Sequence, residues 1–335
     1  MNREQIDRLA AHGKFQEQTI SGQVIETHIS WVIVYKDYAV KIKKPVKLSF
    51  VDFSTIALRR KYCQLELRLN RRWSDIYLFV CPIHYQDGGY SLDAKKGRII
   101  DYAVVMKRVP EDLRMDRQLR KGNVSLDHII ALARTIAAVH TTSKVIRRRF
   151  SLAHEKKLFN DIQHYVIAAG NIIDPGMKSL ARTAVSWSDQ FLERHKDRFN
   201  ERVAAGFQRD VHGDLHSANV FITPSPVIFD CIEFNSRYRQ IDILYDVAFL
   251  VMDLEAFGYF ELAKVFFDEY MRRIQCVTTP EDHELFLYFK GLRANVRAKV
   301  QLIQALQSTG EAEIKFHAGE AATYLTLMSR YISTK

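Results

Sequence analysis

The segment Val211–Phe234 constrains this chain more than any other, because it spaces a few polar residues within mostly apolar sequence. It reads V-H-G-D-L-H-S-A-N-V-F-I-T-P-S-P-V-I-F-D-C-I-E-F. Asp214 stands two residues after His212, Asn219 stands five residues after Asp214, and Asp230 ends the apolar run that follows. A carboxylate at the end of a short buried strand is poorly solvated unless it finds a cation. We therefore expect these side chains to form a site.

Their spacing is that of kinase catalytic loops, H-x-D-x-x-x-x-N. In those loops the aspartate orients and deprotonates an acceptor hydroxyl, while the asparagine and a later aspartate hold Mg²⁺ through hard oxygen atoms. An isolated aspartate would more often be a turn former or a helix cap. The complete set predicts that Asp214 is the catalytic base and that Asn219 and Asp230 are metal ligands. Glu233 either reaches the metal through water, contacts substrate or lies on the surface.

The fuller pattern H-G-D-x-H-x-x-N includes Gly213 and His216 and resembles the aminoglycoside phosphotransferase and choline kinase superfamily more than the protein kinases. The runs E-T-H-I-S-W-V, V-K-I-K-K-P-V, D-F-S-T and E-L-R-L-N-R-R resemble an uncharacterised bacterial branch of it. The resemblance extends from about Ile20 to Leu306. In that branch the phosphotransferase-like domain is often joined to a C-terminal P-loop kinase-like domain. The sequence contains no P-loop motif, so we expect any such domain to be a separate partner protein.

The resemblance also implies supporting roles for His212, His216 and Asp246. Asp246 matches the D-x-A at the head of a buried helix and would accept hydrogen bonds from the backbone of the catalytic loop. The alternative is an ordinary carboxylate that the helix dipole favours near the helix N-terminus.

Lys41 in Y-A-V-K matches the V-A-x-K strand whose lysine pairs nucleotide phosphates. Lys43 competes with it, because alternate residues of a strand share one face. The expected ion-pair partner is Glu66, the only acidic residue between Phe53 and Ser74. A solvated helix face is the alternative for Glu66. Lys41 and Glu66 are therefore predicted to bind the nucleotide.

The glycine-rich loop that usually covers the phosphates is missing, since only Gly22 precedes the predicted lysine strand there. Thr27, His28 and Ser30 could donate hydrogen bonds in place of glycine amides.

The apolar patterns predict an α+β, bilobal protein-kinase-like fold: a small β-rich lobe over residues 1–108 and a larger, mainly helical lobe over 109–335. The hinge is expected at Met106–Asp112, with the nucleotide base near Met106, Lys107 and Val109 in the cleft between the lobes. Strands are predicted at Thr27–Val34, Tyr38–Ile42, Tyr77–Ile83 and Tyr102–Met106, and helices at Phe53–Trp73, from the Ser125 cap onward, and at Leu152–Ala169, Lys178–Val203, Phe260–Arg273, His283–Leu306 and Glu311–Ile332.

The composition limits the partners and the cellular location that we expect. A net charge of +10 favours anionic partners. The four cysteines form no C-x-x-C pair, which argues against a disulfide framework or a zinc site. The N-terminal residues lack the apolar core of a signal peptide, and no apolar run is long enough to cross a membrane. We expect a cytoplasmic protein with no membrane partner, and nucleic acid is not expected as a partner.

We therefore predict an ATP- or GTP-dependent, Mg²⁺-dependent phosphotransferase whose acceptor is a hydroxyl of a sugar, an amino-sugar or an amino-alcohol. The positive net charge favours a neutral or anionic acceptor over a cationic antibiotic. Arg293, Arg297 and Lys299, placed on one helix face, either bind an anionic acceptor or lie in solvent. A nucleotide-binding regulatory pseudoenzyme that acts with a partner protein remains the main alternative. A kinase acting on protein or nucleic acid is the other.

Overall fold

Strands dominate the first third of the chain and helices dominate the rest. The computed structural model describes residues 1–16, 18–48 and 51–333. The predicted α+β, protein-kinase-like fold class is confirmed by this arrangement and by the solved structures compared below. Across the part of the chain that the structure describes, every helix is too short or too polar to span a lipid bilayer.

The backbone divides into two compact units. Unit 1 contains Met1–Lys121 together with Ala218–Arg239, and unit 2 contains Gly122–Ser217 together with the residues from Gln240 onward. The segment that carries Asn219 and Asp230 therefore belongs with the β-rich part of the chain, although it follows the first helices of unit 2 in sequence. The predicted lobe boundary at residue 108 remains a prediction.

The elements up to residue 142 are α1 Arg3–His12, β1 Lys14–Phe15, β2 Gln18–Thr19, β3 Gln23–Glu26, β4 Ser30–Tyr35, β5 Tyr38–Lys43, β6 Lys47–Leu48, β7 Val51–Asp52, α2 Ile56–Asn70, β8 Tyr77–Gln86, β9 Gly89–Leu92, β10 Arg98–Lys107, α3 Met115–Arg120 and α4 Leu126–Thr142. Those that follow are α5 Leu152–Asn160, α6 Ile162–Ala168, α7 Pro175–Ala204, β11 Gln208–Asp210, β12 Val220–Phe221, β13 Val227–Ile228, α8 Ser236–Arg239, β14 Gln240–Asp242, α9 Ile243–Ala256, α10 Phe260–Arg273, α11 Pro280–Gln307 and α12 Glu311–Ser333. The predicted helix over Leu152–Ala169 is thus two helices that meet at Asp161.

One eight-stranded sheet organises unit 1, in the order β2-β1-β9-β8-β10-β5-β4-β3. β5 lies between β4 and β10, so that Lys41 is opposite Val32 on one side and Val104 on the other. A tight turn connects β4 and β5, and Lys36 takes the left-handed conformation in it, with φ of 47°. Lys41 therefore projects from an inner strand whose position is fixed on both edges.

α2 begins at the Thr55 cap, whose hydroxyl accepts a hydrogen bond from the Leu58 amide at 3.2 Å. The residues that it buries include Arg59, Glu66 and Asn70, which recur at helical spacing. The leucine-rich pattern predicted the helix, but its first apolar residue is exposed and the buried stripe is largely polar. Because buried polar groups need partners, this stripe connects α2 to the rest of unit 1.

α9 is the most buried helix of unit 2, with no exposed side chain from Ile243 to Leu254. Asp242 caps it by accepting a hydrogen bond from the Leu244 amide at 2.8 Å. Such a continuous apolar sequence requires neighbours on all sides. α10 and α11 supply part of this cover.

Candidate active site

A short hairpin in unit 1 carries the two predicted metal ligands, Asn219 and Asp230. β12 pairs with β13 so that Val220 faces Ile228, and the next backbone contact is the Phe229 amide donating to the Asn219 carbonyl at 3.0 Å. Asp230 follows directly. Asn219 and Asp230 therefore stand at the same end of the hairpin.

Asp230 has an unusual backbone conformation for a residue other than glycine, with φ of 65°. Its amide donates a hydrogen bond to the Tyr77 hydroxyl at 3.0 Å, and the next amide, of Cys231, donates to Asn70 Oδ1 at 2.8 Å. β8 and α2 thus hold both sides of the strained residue. This support is what keeps its carboxylate aimed in one direction.

Lys41 joins Asp230 to Glu66. Lys41 Nζ lies 2.8 Å from Glu66 Oε1 and 2.5 Å from Asp230 Oδ1. Glu66 is fully buried, so the alternative of a solvated helix face for this residue is wrong. The predicted lysine–glutamate pair is present in unit 1.

Lys43 is not an alternative to Lys41 but a second partner of the same glutamate. Lys43 Nζ lies 2.7 Å from Glu66 Oε2, forms an ion pair with Glu233 and stands 4.8 Å from the centre of the Phe53 ring. Glu233 is 4% exposed, so the alternative of a surface position for this residue is wrong. The two carboxylate oxygens of Glu66 thus serve two lysines.

These contacts form a chain of alternating charge, which we call the lysine network: Asp230, Lys41, Glu66, Lys43 and Glu233. Burial would raise the pKa of Glu66, but the two lysine charges hold that pKa below its ordinary value. Burial would lower the pKa of Lys41, but Asp230 and Glu66 raise it well above its ordinary value. Burial would likewise lower the pKa of Lys43, but Glu233 and Glu66 raise it. Both lysines are therefore cationic at neutral pH.

The donor set at the hairpin end suits Mg²⁺. Within residues 1–16, 18–48 and 51–333, no three His, Cys, Asp or Glu side chains are grouped to hold a metal by themselves. Mg²⁺ usually takes only one or two carboxylates and completes its octahedron with water and substrate phosphates. The Asp230 side chain is 44% exposed, which leaves it accessible to such an ion. Asn219 adds an amide oxygen of the right type.

An apolar cluster of unit 1 contains two of the predicted base-binding residues. Met106 is buried in it, and Val109 and Ala39 pack against it with Val227. Lys107 differs, because its Nζ pairs with Asp75 at 2.7 Å on the surface. Only its backbone amide turns inward, donating to the Ile76 carbonyl at 2.8 Å.

Thr27 and Ser30, predicted as possible phosphate donors, bond to each other. Thr27 Oγ1 donates to the Ser30 carbonyl and accepts from the Ser30 amide, both at 3.0 Å. They close the turn between β3 and β4, and His28 between them is exposed. A methyl group on Gly22 would lie 2.9 Å from the Val34 carbonyl, so a close approach of β4 requires the glycine there.

Asp214 lies in unit 2, within the loop 211–217. His216 Nε2 is 3.4 Å from Asp214 Oδ2, and the Asp214 amide donates to His212 Nδ1 at 3.3 Å. Burial would raise the pKa of Asp214, but His216 and His212 hold that pKa well below its ordinary value. The carboxylate is thus ionised at neutral pH, and its side chain is 39% exposed.

Asp246 fixes the start of this loop. Its Oδ2 accepts from the His212 amide at 3.1 Å and its Oδ1 from the Gly213 amide at 2.8 Å. His140 Nε2 lies 3.2 Å from Oδ2. Gly213 has φ of 85°, a conformation that glycine adopts without strain. The predicted acceptor role of Asp246 toward the loop backbone is confirmed.

Two further residues hold the loop, and sequence reasoning did not assign them this role. Asp253 Oδ2 accepts from the Ser217 amide at 2.8 Å and from its hydroxyl at 2.5 Å. Arg293 Nη1 donates to the Gly213 carbonyl at 3.0 Å, with its guanidinium 3.8 Å from the centre of the Tyr245 ring. Asp253 follows Asp246 by seven residues and is buried in the same helix, but that spacing alone does not show that it meets the loop.

Arg293, Arg297 and Lys299 do not share one face. Lys299 Nζ donates to the Leu158 carbonyl at 2.9 Å and pairs with Asp161, whereas Arg293 turns toward the loop 211–217. Arg293 and Lys299 are buried and Arg297 is half-buried, so the alternative of a solvated face is wrong. The helical period separates residues 297 and 299 by about 200°, which explains the difference.

Comparisons with known proteins identify relatives in sequence and in fold. Two curated relatives, uncharacterized proteins of Mycobacterium tuberculosis and Mycobacterium bovis, are each 27% identical over 325 residues, which is 92% of this chain. The chain spans 59% of the length of these relatives.

Solved structures share the fold at low identity. A candidate aminoglycoside phosphotransferase of Ralstonia eutropha has a TM-score of 0.54 at 13% identity, covering 99% of this chain and 98% of that one. A glucosamine kinase in complex with glucosamine, ADP and inorganic phosphate has a TM-score of 0.53 at 14% identity, covering 91% and 79%. A choline kinase of Cryptosporidium parvum has a TM-score of 0.52 at 13% identity, covering 93% and 88%. At such identities these likenesses establish the fold alone.

The model of the phosphotransferase enzyme family matches residues 81–285. This match covers more than half of the chain and includes the loop 211–217, the hairpin that follows it and the start of α11. The resemblance stated from the motifs is therefore confirmed, and the chain belongs to the phosphotransferase enzyme family.

Proposed function

We propose that this protein transfers the γ-phosphoryl group of ATP or GTP to a hydroxyl group of a small molecule. The observation that carries the proposal is the position of Lys41, whose Nζ lies between Glu66 and Asp230. A lysine held by a buried glutamate beside a metal-type aspartate is the arrangement with which kinase-like enzymes bind nucleotide phosphates. Family membership and the ADP-bound glucosamine kinase of similar fold support the same reading.

The lysine network gives the nucleotide a place to bind. A phosphate group competes with Asp230 for Lys41, while Glu66 keeps the lysine in position from its buried side. The apolar side chains of Ala39, Met106 and Val109 suit the flat face of a purine base. Lys107 would contribute only its backbone in that region, since its side chain pairs with Asp75.

Asn219 and Asp230 would hold Mg²⁺. When bound, the ion neutralises charge on the phosphate oxygens of the nucleotide. Once a phosphate has taken Lys41, the Asp230 carboxylate is available as a ligand. The backbone support from Tyr77 keeps that carboxylate at the end of the hairpin.

Asp214 would orient the acceptor hydroxyl and take its proton. The acceptor oxygen forms a bond to the γ-phosphorus, the bond from that phosphorus to the nucleoside diphosphate breaks, and the diphosphate leaves with the electron pair. Transfers of this kind depend on positioning more than on covalent help from the protein. Asp246 and Arg293 position Asp214 by holding the backbone just before it.

The test is nucleotide turnover by the purified protein. We expect Mg²⁺-dependent hydrolysis of ATP or GTP that rises when a suitable alcohol is added. Asp214→Asn should lower kcat by about 10³-fold, because it removes the proton acceptor, while nucleotide binding is retained. Asp268→Asn, on the exposed surface of α10, is the matched control and should behave as wild type.

Nucleotide binding measured with a fluorescent ATP analogue separates the alternatives. Loss of turnover with retained binding in Asp214→Asn supports the phosphotransferase. If wild type and Asp214→Asn bind nucleotide equally and neither turns it over, the proposal fails. The protein would then act as a nucleotide-dependent regulatory module with a partner protein.

A further inference from the structure

α11 presents two arginines one turn apart in unit 2, and the first of them is fixed. Arg293 donates to the Gly213 carbonyl at 3.0 Å and to the Tyr245 carbonyl at 3.3 Å, and its guanidinium stacks on the Tyr245 ring. Gly213 directly precedes Asp214. The register of α11 is therefore tied to the catalytic loop, and Arg297 follows on the same face one helical turn later.

The contacts of Arg297 are few for an arginine that is half withdrawn from solvent. Its Nε lies 3.4 Å from the Tyr324 hydroxyl, and its guanidinium stands 5.4 Å from the centre of the same ring. Among the residues that the structure describes, no carboxylate lies within ion-pair distance of it. The guanidinium retains donors that no described side chain or carbonyl accepts from.

Two buried arginines show how such a charge is compensated in this protein. Arg202 in unit 2 is 2.7 Å from Asp242 and 2.8 Å from Asp282, and Arg59 in unit 1 is 2.7 Å from Asp101. Taking an arginine out of water is costly unless an anion compensates it. Arg297 has no such carboxylate partner among the described residues.

The nearest acidic side chains are already engaged. Asp253 holds the amide and hydroxyl of Ser217, and Asp214 faces His216. Burial lowers the pKa of Arg297, but Tyr324, Asp253 and Asp214 raise it above its ordinary value, so the guanidinium lies in the electrostatic reach of the catalytic aspartate. Arg297 is thus a cation whose charge interacts with that of Asp214 and whose guanidinium keeps hydrogen-bond donors available.

We infer that the acceptor carries an anionic group, a carboxylate or a phosphate, that pairs with Arg297 while its hydroxyl is presented to Asp214. The inference rests on the proposed function and narrows its substrate class. A guanidinium offers paired donors that match both kinds of anion. Tyr324 acts as a positioning residue that orients the guanidinium from α12.

An anionic acceptor also accounts for the arginine's place beside an aspartate base. Asp214 is ionised and would repel an approaching carboxylate or phosphate in a site of low dielectric constant. Arg297 offsets that repulsion. A cationic acceptor would be attracted by Asp214 but repelled by the guanidinium, and it could not accept hydrogen bonds from Arg297.

The experiment uses the full chain with Mg²⁺ and the preferred nucleotide, and acceptors in matched sets. Glycerol, glycerate and glycerol 3-phosphate form one set, and ribose, ribonate and ribose 5-phosphate form another. Glucosamine and choline supply the cationic class. Carboxylate and phosphate members separate the two sources of anionic charge. The readout is kcat and KM for each acceptor by nucleoside diphosphate release and product mass.

Wild type should use at least one anionic member at least tenfold better, in kcat/KM, than its neutral counterpart. Arg297→Gln should reduce that preference by about 10- to 100-fold through KM, as expected for a hydrogen-bonded charge pair. Arg297→Lys keeps the charge without the paired donors and should retain part of the preference for anionic acceptors. Tyr324→Phe should cause a smaller rise in KM. Arg272→Gln, which changes an arginine 75% exposed on α10, is the control for general charge effects.

The outcomes separate this inference from the proposed function. Turnover that depends on Asp214 but prefers neutral or cationic acceptors, or a preference for anions that survives Arg297→Gln, overturns the inference and keeps the phosphotransferase. Nucleotide hydrolysis that no anionic acceptor stimulates also overturns it. If Arg297→Gln lowers the thermal unfolding temperature and leaves the preference intact, Arg297 only balances Asp253. Absence of any Asp214-dependent turnover overturns both.

Discussion

Glu66 in unit 1 and Asp246 in unit 2 are both fully buried carboxylates, yet they are compensated in different ways. Glu66 forms ion pairs with two lysines. Asp246 accepts hydrogen bonds from two backbone amides and contacts a histidine ring, and Arg293 Nη2 lies 3.8 Å from its Oδ1. The first carboxylate is compensated by lysine charges alone, whereas the second also has the fixed donors of a loop.

A consequence of this difference is that the ionic partner of a lysine can be exchanged, whereas the hydrogen bonds from a loop backbone are fixed. A lysine can trade one anion for another, so Lys41 can leave Asp230 for a phosphate without the chain changing its path. Backbone amides cannot be exchanged, because their positions are set by the loop itself. Unit 1 is thus arranged to change partners, and unit 2 is arranged to keep Asp214 in one place.

The largest expected effect comes from removing the fixed acceptor. Asp246→Ala leaves the His212 and Gly213 amides and the His140 ring without their acceptor in a buried position. We expect a loss of about 4 kcal/mol in the free energy of unfolding, measured by urea denaturation.

The matched control is Asp268→Ala, which breaks only the exposed ion pair with Lys264. It should change the free energy of unfolding by less than about 0.5 kcal/mol. Adding His140→Gln to Asp246→Ala should recover little, since the two amides remain unsatisfied. A full recovery in that double variant would show that the histidine, and not the loop backbone, sets the cost, and the contrast between the units would fail.

The helices show what sequence can predict and where it stops. α10 has the predicted bounds, and α4 begins at the predicted Ser125 cap, because periodic apolar residues and caps are local signals. α1 was not predicted, although Asn2 and Gln5 form a capping box at its start. The order of the eight-stranded sheet was not predicted either, since strand pairing depends on contacts distant in sequence.

A smaller but reversible effect is expected from Lys43. Lys43→Met leaves Glu233 unpaired and Glu66 with one lysine in place of two, and we expect a loss of about 3 kcal/mol in the free energy of unfolding. Glu233→Gln in the same chain removes the stranded charge and should recover at least half of that loss.

The double-mutant cycle of Lys43 with Glu233 should therefore give a large coupling free energy. The cycle of Asp246 with His140 should give a small one. Lys43→Arg, which keeps the charge, is the matched control and should lie between wild type and Lys43→Met. If Lys43→Met and the double variant are equally unstable, the loss comes from packing against Phe53 and charge exchange is not the property of unit 1.

The candidate site was predictable in part for the same reason as the helices. Lys41 and Asp214 were predicted from motif spacing, and Glu66 was predicted because it is the only acidic residue between Phe53 and Ser74. The two-residue period of a strand predicted that Lys43 and Lys41 share one face. It could not predict that each lysine would pair with a different carboxylate oxygen of Glu66. Asp253 was missed, because no local pattern tells which buried carboxylate of a helix meets a distant loop.

The smallest expected effect is the acid dependence of unit 1. The pKa of Glu66 is lowered in the folded chain below its ordinary value of 4.5, since two lysine charges outweigh burial. Its ionisation therefore stabilises the fold above about pH 4.5, and this contribution is lost as the pH falls toward the lowered pKa. The raised pKa of Glu233 acts in the opposite sense.

Glu66→Gln should lessen the dependence of unfolding free energy on pH below 4.5, by at most about 1.4 kcal/mol per pH unit. Glu313→Gln, on the exposed first turn of α12, should not change it. An unchanged slope in Glu66→Gln would mean that the lysines do not hold this carboxylate ionised, and exchange at Lys41 would lose its fixed partner.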